Sequence, residues 1–441
     1  MLCMNGLWRR EIKAPIYDES NGWFRSLGVV PPARPLKGSL RSDWVIVGGG
    51  ACGLATARYL ALLKPDDRIA LIEASRIGFG ASGRNSGFML DHNTHGHTKS
   101  QAVTRRNNAI CSAGTKLLRE LVQTHGIECD WSDWGRIYVS AGVSGDRHLR
   151  DLQAAYERDN ISYARLESDE MAQLVGTKFY RAGLKVGGNG LVNPAALMRG
   201  LAATLPPNVE VFEGTCVRSW RGGPTIEVLT DHGEVRSKNI IFCTSVFSGE
   251  FGIARNRIAP VALFASMTSP IPDRLMSAFG DTEFALLPAT ENGSTIRLIK
   301  GNRLLMRNCI SFPRKSGFSQ DFLASVEQRL RKAMIARWPQ FASLEFTDTW
   351  SGLLGFTRND AIEFGQVAPN VYVNVSSDAA PVARGTATGK LLAEKICGVR
   401  SKLLDLAETA PRAALIPPRA ILKHVVNHRI RSAERRAREE F

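Results

Sequence analysis

The 441-residue chain has no run of 18 or more apolar residues, so nothing in it reads as a membrane-spanning helix. It also lacks an apolar signal core near its start: Arg9 and Arg10 are followed by Ala14-Pro15-Ile16-Tyr17-Asp18, and no secretory signal is expected. Its eight cysteines, at positions 3, 52, 111, 129, 216, 243, 309 and 397, include no Cys-x-x-Cys pair. That scatter argues against a zinc site or redox dithiol, and a disulfide framework makes little sense in a chain this large. Reduced thiols and a cytoplasmic location are the expectation. There is no internal repeat and no low-complexity tract. The positive charge comes without any nucleic-acid recognition motif, so no nucleic-acid partner is expected.

What is present is length enough for two domains and a formal charge of +15. Residues Arg419 to Phe441 contribute +4 and leave +11 spread over the rest. A distributed positive field suits recruitment of an anionic cofactor or an acidic substrate.

The chain is organised around residues 43 to 88. Val45-Ile46-Val47 is a short apolar run ending in glycines, as in a parallel strand buried on both faces. Ala55 to Leu63 reads as a helix packed on it, and Ile69 to Ile72 as the returning strand of a βαβ crossover. Between strand and helix lies Gly48-x-Gly50-x-x-Gly53. Gly48 permits the tight turn, Gly50 lets backbone approach a pyrophosphate, and Gly53 lets helix and strand pack closely. The helix start, Ala51 and Cys52, then offers free N–H groups and a positive dipole end to phosphates. Glu73, followed by Ala74 at the end of the second strand, can accept both hydroxyls of an adenosine ribose. A second loop follows, Gly80-Ala81-Ser82-Gly83-Arg84-Asn85-Ser86-Gly87. Its consecutive small residues expose backbone N–H groups, and Arg84 would add positive charge beside a diphosphate.

Further along, helices are expected over 99–124, 146–160 with Asp146 as cap, 168–175, 193–205, 320–338 capped by Ser319, and 384–397. Strands are expected at 134–140, 209–212, 216–218, 225–230, 234–238, 239–243, 295–299, 303–307 and 371–375. Residues 1–40 read as irregular. The tail, 420–438, reads as a basic amphipathic helix with Leu422, Val425, Val426 and Ile430 on one side, docked on a surface.

The second loop strongly resembles the second flavin loop of the D-amino-acid-oxidase-like FAD oxidoreductases, most closely the branch with gamma-glutamylputrescine oxidase and related amine oxidases. The resemblance continues through Gly190-Leu191-Val192-Asn193-Pro194, Phe242-Cys243-Thr244-Ser245, the stretch Trp350 to Asp360 and the stretch Arg384 to Glu394, covering roughly Asp43 to Gly398. It implies an α/β (α+β two-domain) fold: a glutathione-reductase-type Rossmann FAD-binding domain with an interleaved antiparallel-sheet substrate domain. The FAD-binding part would be discontinuous, 41–98, 186–258 and 345–400. Residues 99–185 and 259–344 would form the substrate domain, 1–40 an N-terminal extension and 401–441 a basic helical tail.

By the same resemblance, Gly80, Ala81, Ser82, Gly83, Asn85 and Ser86 would wrap the ribityl and pyrophosphate portion. Val217 would cover the adenine, and Thr244, Ala380 and Val382 would lie near the cofactor. The pair of glycines this family places before Arg384 is replaced here by Ala379 and Pro381, and Pro381 has no N–H to donate. No cysteine occurs in Ser351 to Phe356, where some relatives attach flavin, so FAD is expected to be noncovalent. The implied reaction is oxidation of the C–N bond of a small amine or amino acid. Hydride would pass to flavin N5 and the imine would be hydrolysed, with oxygen or another acceptor reoxidising the flavin. No catalytic acid or base is assigned. His92 or His95 in Asp91 to His97, Arg307, Arg358 and Trp350 are the substrate-site candidates; Arg297 is an alternative, and no metal site is assigned. A flavin hydroxylase using NAD(P)H and a catalytically silent flavin-binding partner protein are the competing readings.

Overall fold

The computed structural model describes residues 11–18, 20–92, 100–314, 317–375, 380–437 and 440. A single turn, α1 (Gly22–Arg25), interrupts the irregular N-terminal segment, capped by Asn21, which accepts from the amides of Trp23 and Phe24. Strand β1 (Gly38–Val47) is longer than the apolar run at its end. Helix α2 (Ala51–Leu63) begins earlier than its strong helix formers indicate, because Gly50 is already its cap residue. Strand β2 (Ile69–Ile72) closes the crossover parallel to β1.

Next come β3 (Phe88–Met89), α3 (Gln101–His125), β4 (Arg136–Ser140) and α4 (Val143–Arg158). Asp146 does not cap α4: Gly142 holds that position, while Asp146 accepts from the Ser140 hydroxyl and pairs with Arg181. β5 (Ala164–Glu167) runs into α5 (Ser168–Val175), opened by a capping box between Glu167 and Glu170. β6 (Ala182–Val186) and β7 (Gly190–Leu191) lead to α6 (Pro194–Ala203), capped by Asn193 with Pro194 in the first turn. β8 (Val209–Phe212), β9 (Val217–Arg221), β10 (Ile226–Thr230) and β11 (Gly233–Phe242) follow. The two strands expected on either side of Lys238 are thus one, held along its whole length by β1.

The later chain forms β12 (Ala259–Thr268), α7 (Asp273–Met276), β13 (Phe284–Pro288), β14 (Thr295–Ile299) and β15 (Arg303–Ser311). Helix α8 (Gln320–Arg337), with Ser319 accepting from the Phe322 amide, precedes β16 (Phe346–Phe356), β17 (Glu363–Ala368) and β18 (Val371–Val375). Helices α9 (Pro381–Ile396), α10 (Lys402–Glu408) and α11 (Arg419–Arg436) end it.

Among the described residues two eight-stranded sheets carry the fold. The first runs β17-β18-β11-β1-β2-β8, with β9 and β10 joined to it antiparallel through β11. Its five central strands are parallel, and side chains are buried on both faces: Ile46 and Leu71 on one, Val45, Val47 and Phe242 on the other. That two-sided burial is why the strands read as unbroken apolar runs. Helices α2, α3 and α9 pack closely on the Ile46 face. A Cβ at Gly389 would stand 2.5 Å from that of Ala55, and one at Gly114 would overlap the Ala383 carbonyl.

The second sheet runs β16-β12-β15-β14-β13-β4-β6-β5 and is antiparallel except between β13 and β4. Residues 346–356, which the resemblance groups with the cofactor segments, extend this second sheet instead, because β16 pairs with β12 along its length. No helix of the described residues is long and apolar enough to cross a membrane.

Candidate active site

A cavity of about 1070 Å³ lies between the carboxyl end of β1 and the face of the second sheet. It exceeds the usual ~300–1,000 Å³ of small-molecule sites, so an extended ligand can lie in it with room for a second, smaller one. One end is the crevice where β1 feeds β2 on one side and meets β11 on the other, the switch point at which open parallel sheets take ligands.

The glycines there divide the work as their spacing suggests. Gly48 has φ +106, and a Cβ on it would stand 2.5 Å from the Cys243 carbonyl oxygen. Gly53 supports close strand–helix contact, since any Cβ would overlap the Gly48 oxygen. Ser82 reaches in from the second loop, its hydroxyl 3.0 Å from the Ala51 amide at the start of α2. The Glu73 carboxylate accepts from the amides of Gly49 at 2.8 Å and Ser75 at 2.9 Å. Burial holds its pKa above the usual carboxylate range, and those amides offset part of the rise.

Arg84 departs from expectation. Its guanidinium pairs with Asp18 of the N-terminal segment and donates to the Phe79 and Ser351 carbonyls, lying over the rings of Tyr17 and Phe79. A charge expected to serve a diphosphate thus anchors the N-terminal segment, with Asp18 as its counter-ion. Arg297, an alternative substrate group from the sequence, is also spent internally. Its Nη1 donates to the carbonyls of Ser86, Gly87 and Val192 and so fixes the exit of the second loop.

Of the sequence-derived cofactor positions, Gly48, Gly50, Ala51, Cys52, Glu73 and Ala74 line the cavity. So do Gly80, Ala81, Ser82, Asn85, Ser86, Val217, Thr244 and Val382. Gly53 and Gly83 stand behind it at close backbone contacts. Ala380 is buried with Leu90 and Tyr138, while the adjacent Pro381 lines the cavity. Ala379 lies outside the described residues. Pro381 opens the first turn of α9, where a missing N–H breaks no helical hydrogen bond.

The substrate candidates separate. Arg307 and Arg358 face the cavity. Trp350 does not: it is buried with Trp23, Met267 and Leu305 and donates to the Arg84 carbonyl. His92 turns to Asp91, 2.9 Å away, and to the edge of Tyr156, and Asp91 also meets buried Arg136 at 3.0 Å. His95 lies outside the described residues. Two contributors were missed. Ile12, Lys13, Pro15 and Tyr17 close over the cofactor end, and α11 covers the other end with Leu422, Val425, Val426, Ile430 and Arg429. The apolar stripe of α11 was visible in the sequence, but not the cavity beneath it.

A family model described as FAD dependent oxidoreductase matches residues 43–395. The probable oxidoreductase OrdL of Haemophilus influenzae is 24% identical over 418 residues, 91% of each chain. The gamma-glutamylputrescine oxidoreductase of Escherichia coli is 24% identical over 377 residues, 83% of this chain and 86% of its own. Among solved structures, glycine oxidase from Geobacillus kaustophilus superposes with a TM-score of 0.68 at 20% identity, over 82% of this chain and 96% of that one.

The residues present fit the cofactor that this family is named for. Gly50 and the amide end of α2 leave room for a diphosphate, with Ser82 the first side chain a Cβ on Gly50 would meet, at 2.9 Å. Glu73 retains acceptor capacity for ribose hydroxyls beside its two amide donors. With 353 of its 441 residues inside the family match and a cradle of that chemistry at the switch point, the chain belongs to the DAO family of FAD-dependent oxidoreductases, and FAD is its cofactor.

Proposed function

We propose that this enzyme oxidises the C–N bond of a small amine or amino acid, with FAD held noncovalently. One observation carries the reading: the crevice lined by Glu73 and Val217 and the chamber lined by Arg307 belong to one continuous cavity. A small substrate can therefore meet the cofactor inside one cavity. The named activities of the relatives, a gamma-glutamylputrescine oxidoreductase and a glycine oxidase, support an amine or amino acid as that substrate.

Bound flavin supplies the two-electron acceptor. The chain's own part is to bind and orient. Glu73 takes the ribose, the start of α2 and the loop from Gly80 to Ser86 take the diphosphate and ribityl portion, and Val217 takes the adenine. Val261, Leu263, Leu353 and Leu354 wall the reacting end with apolar surface that limits water. The substrate amine reacts unprotonated, its lone pair forming C=N as hydride leaves the adjacent carbon. Water then adds to the imine and releases carbonyl product and amine or ammonia. Segments of the first sheet act as the cofactor unit and those of the second as the substrate unit.

An anaerobic bleaching screen of the yellow holoenzyme across amines, N-methyl amino acids and gamma-glutamyl amines tests this. Loss of flavin absorbance with release of ammonia or amine is the expected result. Colourless protein that takes up no FAD, or NAD(P)H consumption with substrate hydroxylation and no imine product, would overturn it. Peroxide release on admitting air identifies oxygen as the acceptor.

A further inference from the structure

The cavity carries a cation that, among the described residues, meets a hydroxyl and no carboxylate. Arg307 sits on β15 opposite Thr295 of β14 and Ala265 of β12. One of its nitrogens donates to the Thr295 hydroxyl at 2.7 Å, and among the described residues no carboxylate pairs with it. It lies deep in the molecule, and what remains accessible faces the cavity. Burial pulls its pKa down to about 10, which still leaves it charged at neutral pH.

The strand is shaped to present it. Register shifts between Leu263 and Phe264 of β12, and Cys309 on β15 adopts φ +60. A bulge there changes the alternation, so Arg307 and Ile310 both reach the cavity although they differ in parity along the strand. Val261, Leu263 and Ile310 line the same cavity with apolar surface.

Opposite this wall lies α11, which packs against β15 and falls outside the family match at 43–395. Leu422 and Val426 on its inner side continue the apolar lining, while Arg429 and Arg436 stand with them at the cavity. Glu291 is the nearby acid, 3.9 Å from Arg436. Positive charge at this end is therefore in excess.

We infer that the substrate carries a carboxylate separated from its amine by an aliphatic stretch, that Arg307 binds this carboxylate, and that α11 roofs the aliphatic part and adds Arg429 at the mouth. Only the amine half of this statement rests on the C–N oxidation reading; the anion site stands on its own geometry. A guanidinium and a carboxylate can pair through two parallel hydrogen bonds, and an apolar surround strengthens them.

Calorimetric titration of the holoenzyme with hexanoate, and with neutral hexanamide of the same length, tests the site without any turnover. Hexanoate is expected to bind and hexanamide to bind far more weakly. Arg307→Met should weaken hexanoate by about 10- to 100-fold, with Arg307→Lys recovering part of the loss. Arg429→Glu should weaken it by about 2- to 10-fold, with a reduced salt dependence. FAD content and the flavin spectrum report whether each variant has folded. Equal binding of hexanoate and hexanamide, absence of hexanoate binding, or unchanged affinity in Arg307→Met would overturn the inference. Anaerobic bleaching by 6-aminohexanoate and by hexylamine separates the two claims. Arg307-dependent hexanoate binding with no bleaching by any amine removes C–N oxidation and leaves the anion site. Bleaching by hexylamine as readily as by 6-aminohexanoate removes the anion site and leaves C–N oxidation.

Discussion

Three arginines around the cavity, Arg84 and Arg297 buried and Arg307 partly so, differ in what faces them. Arg84 has a carboxylate, Asp18; Arg297 has three carbonyls, with Glu283 3.8 Å away; Arg307 has one hydroxyl and the cavity. A cation kept in an apolar wall without a counter-ion opposes folding, and its depressed pKa records that opposition below about pH 10. Arg307→Met should therefore raise the melting temperature of the apoprotein by about 1–3 °C while weakening anion binding. Differential scanning calorimetry checks it, and a fall in melting temperature would show that the guanidinium serves packing. Residue type made both Arg297 and Arg307 candidates for a substrate and did not separate their roles from that of Arg84. Arg84 meets a partner 66 positions away in a segment with no periodic pattern, and Arg307 is aimed by a bulge with no sequence signature. Glu73 was legible because its motif lies within one local crossover, where spacing alone fixes geometry.

At the scale of elements, the same contrast separates local from distant pairing. The cap at Ser319 follows from neighbours within three residues and was readable, whereas Asp146 was not the cap its spacing suggests. The continuity of β11 was not readable, because β1, far away in sequence, holds it straight through the apparent break at Lys238. Trp350 was misjudged for a similar reason: β16 lies beside β12 and turns that ring toward Trp23. The packing of α2 on α9 makes the tightest demand, since the start of α2 also holds the cofactor crevice. Gly389→Val should force these helices apart and destabilise the apoprotein by about 1–3 kcal/mol, with loss of FAD retention. Urea unfolding and flavin content measure the two effects; unchanged stability would mean that the crossing can yield.

For the whole molecule, the far C-terminal residues clamp the cavity roof. The Glu440 carboxylate accepts from the Thr290 amide and hydroxyl, and its main-chain oxygen accepts from Arg337 and Ser294. Burial raises the Glu440 pKa, with the Thr290 donors and His148 offsetting part of the rise. A carboxyl whose folded pKa exceeds its unfolded value stabilises most below the ordinary glutamate range and loses that contribution as pH rises through the raised value. Docking of α11 should accordingly loosen as pH climbs above the ordinary glutamate range, and Glu440→Gln should flatten the dependence. Hydrogen exchange of the α11 amides across that interval is the measurement; protection that does not vary with pH would exclude Glu440 as the clamp.

The N-terminal segment closes the opposite end of the cavity by bonds to residues made much later. The Ile12 amide donates to the Arg218 carbonyl, and Asp18 joins Arg84 and accepts from the Ser351 amide. In synthesis residues 12 to 18 precede all of these docks, and the last of them, residue 351, follows Asp18 by 333 positions. Asp18 can meet Arg84 as soon as the second loop exists, but its hold on the Ser351 amide is made only when β16 joins the second sheet.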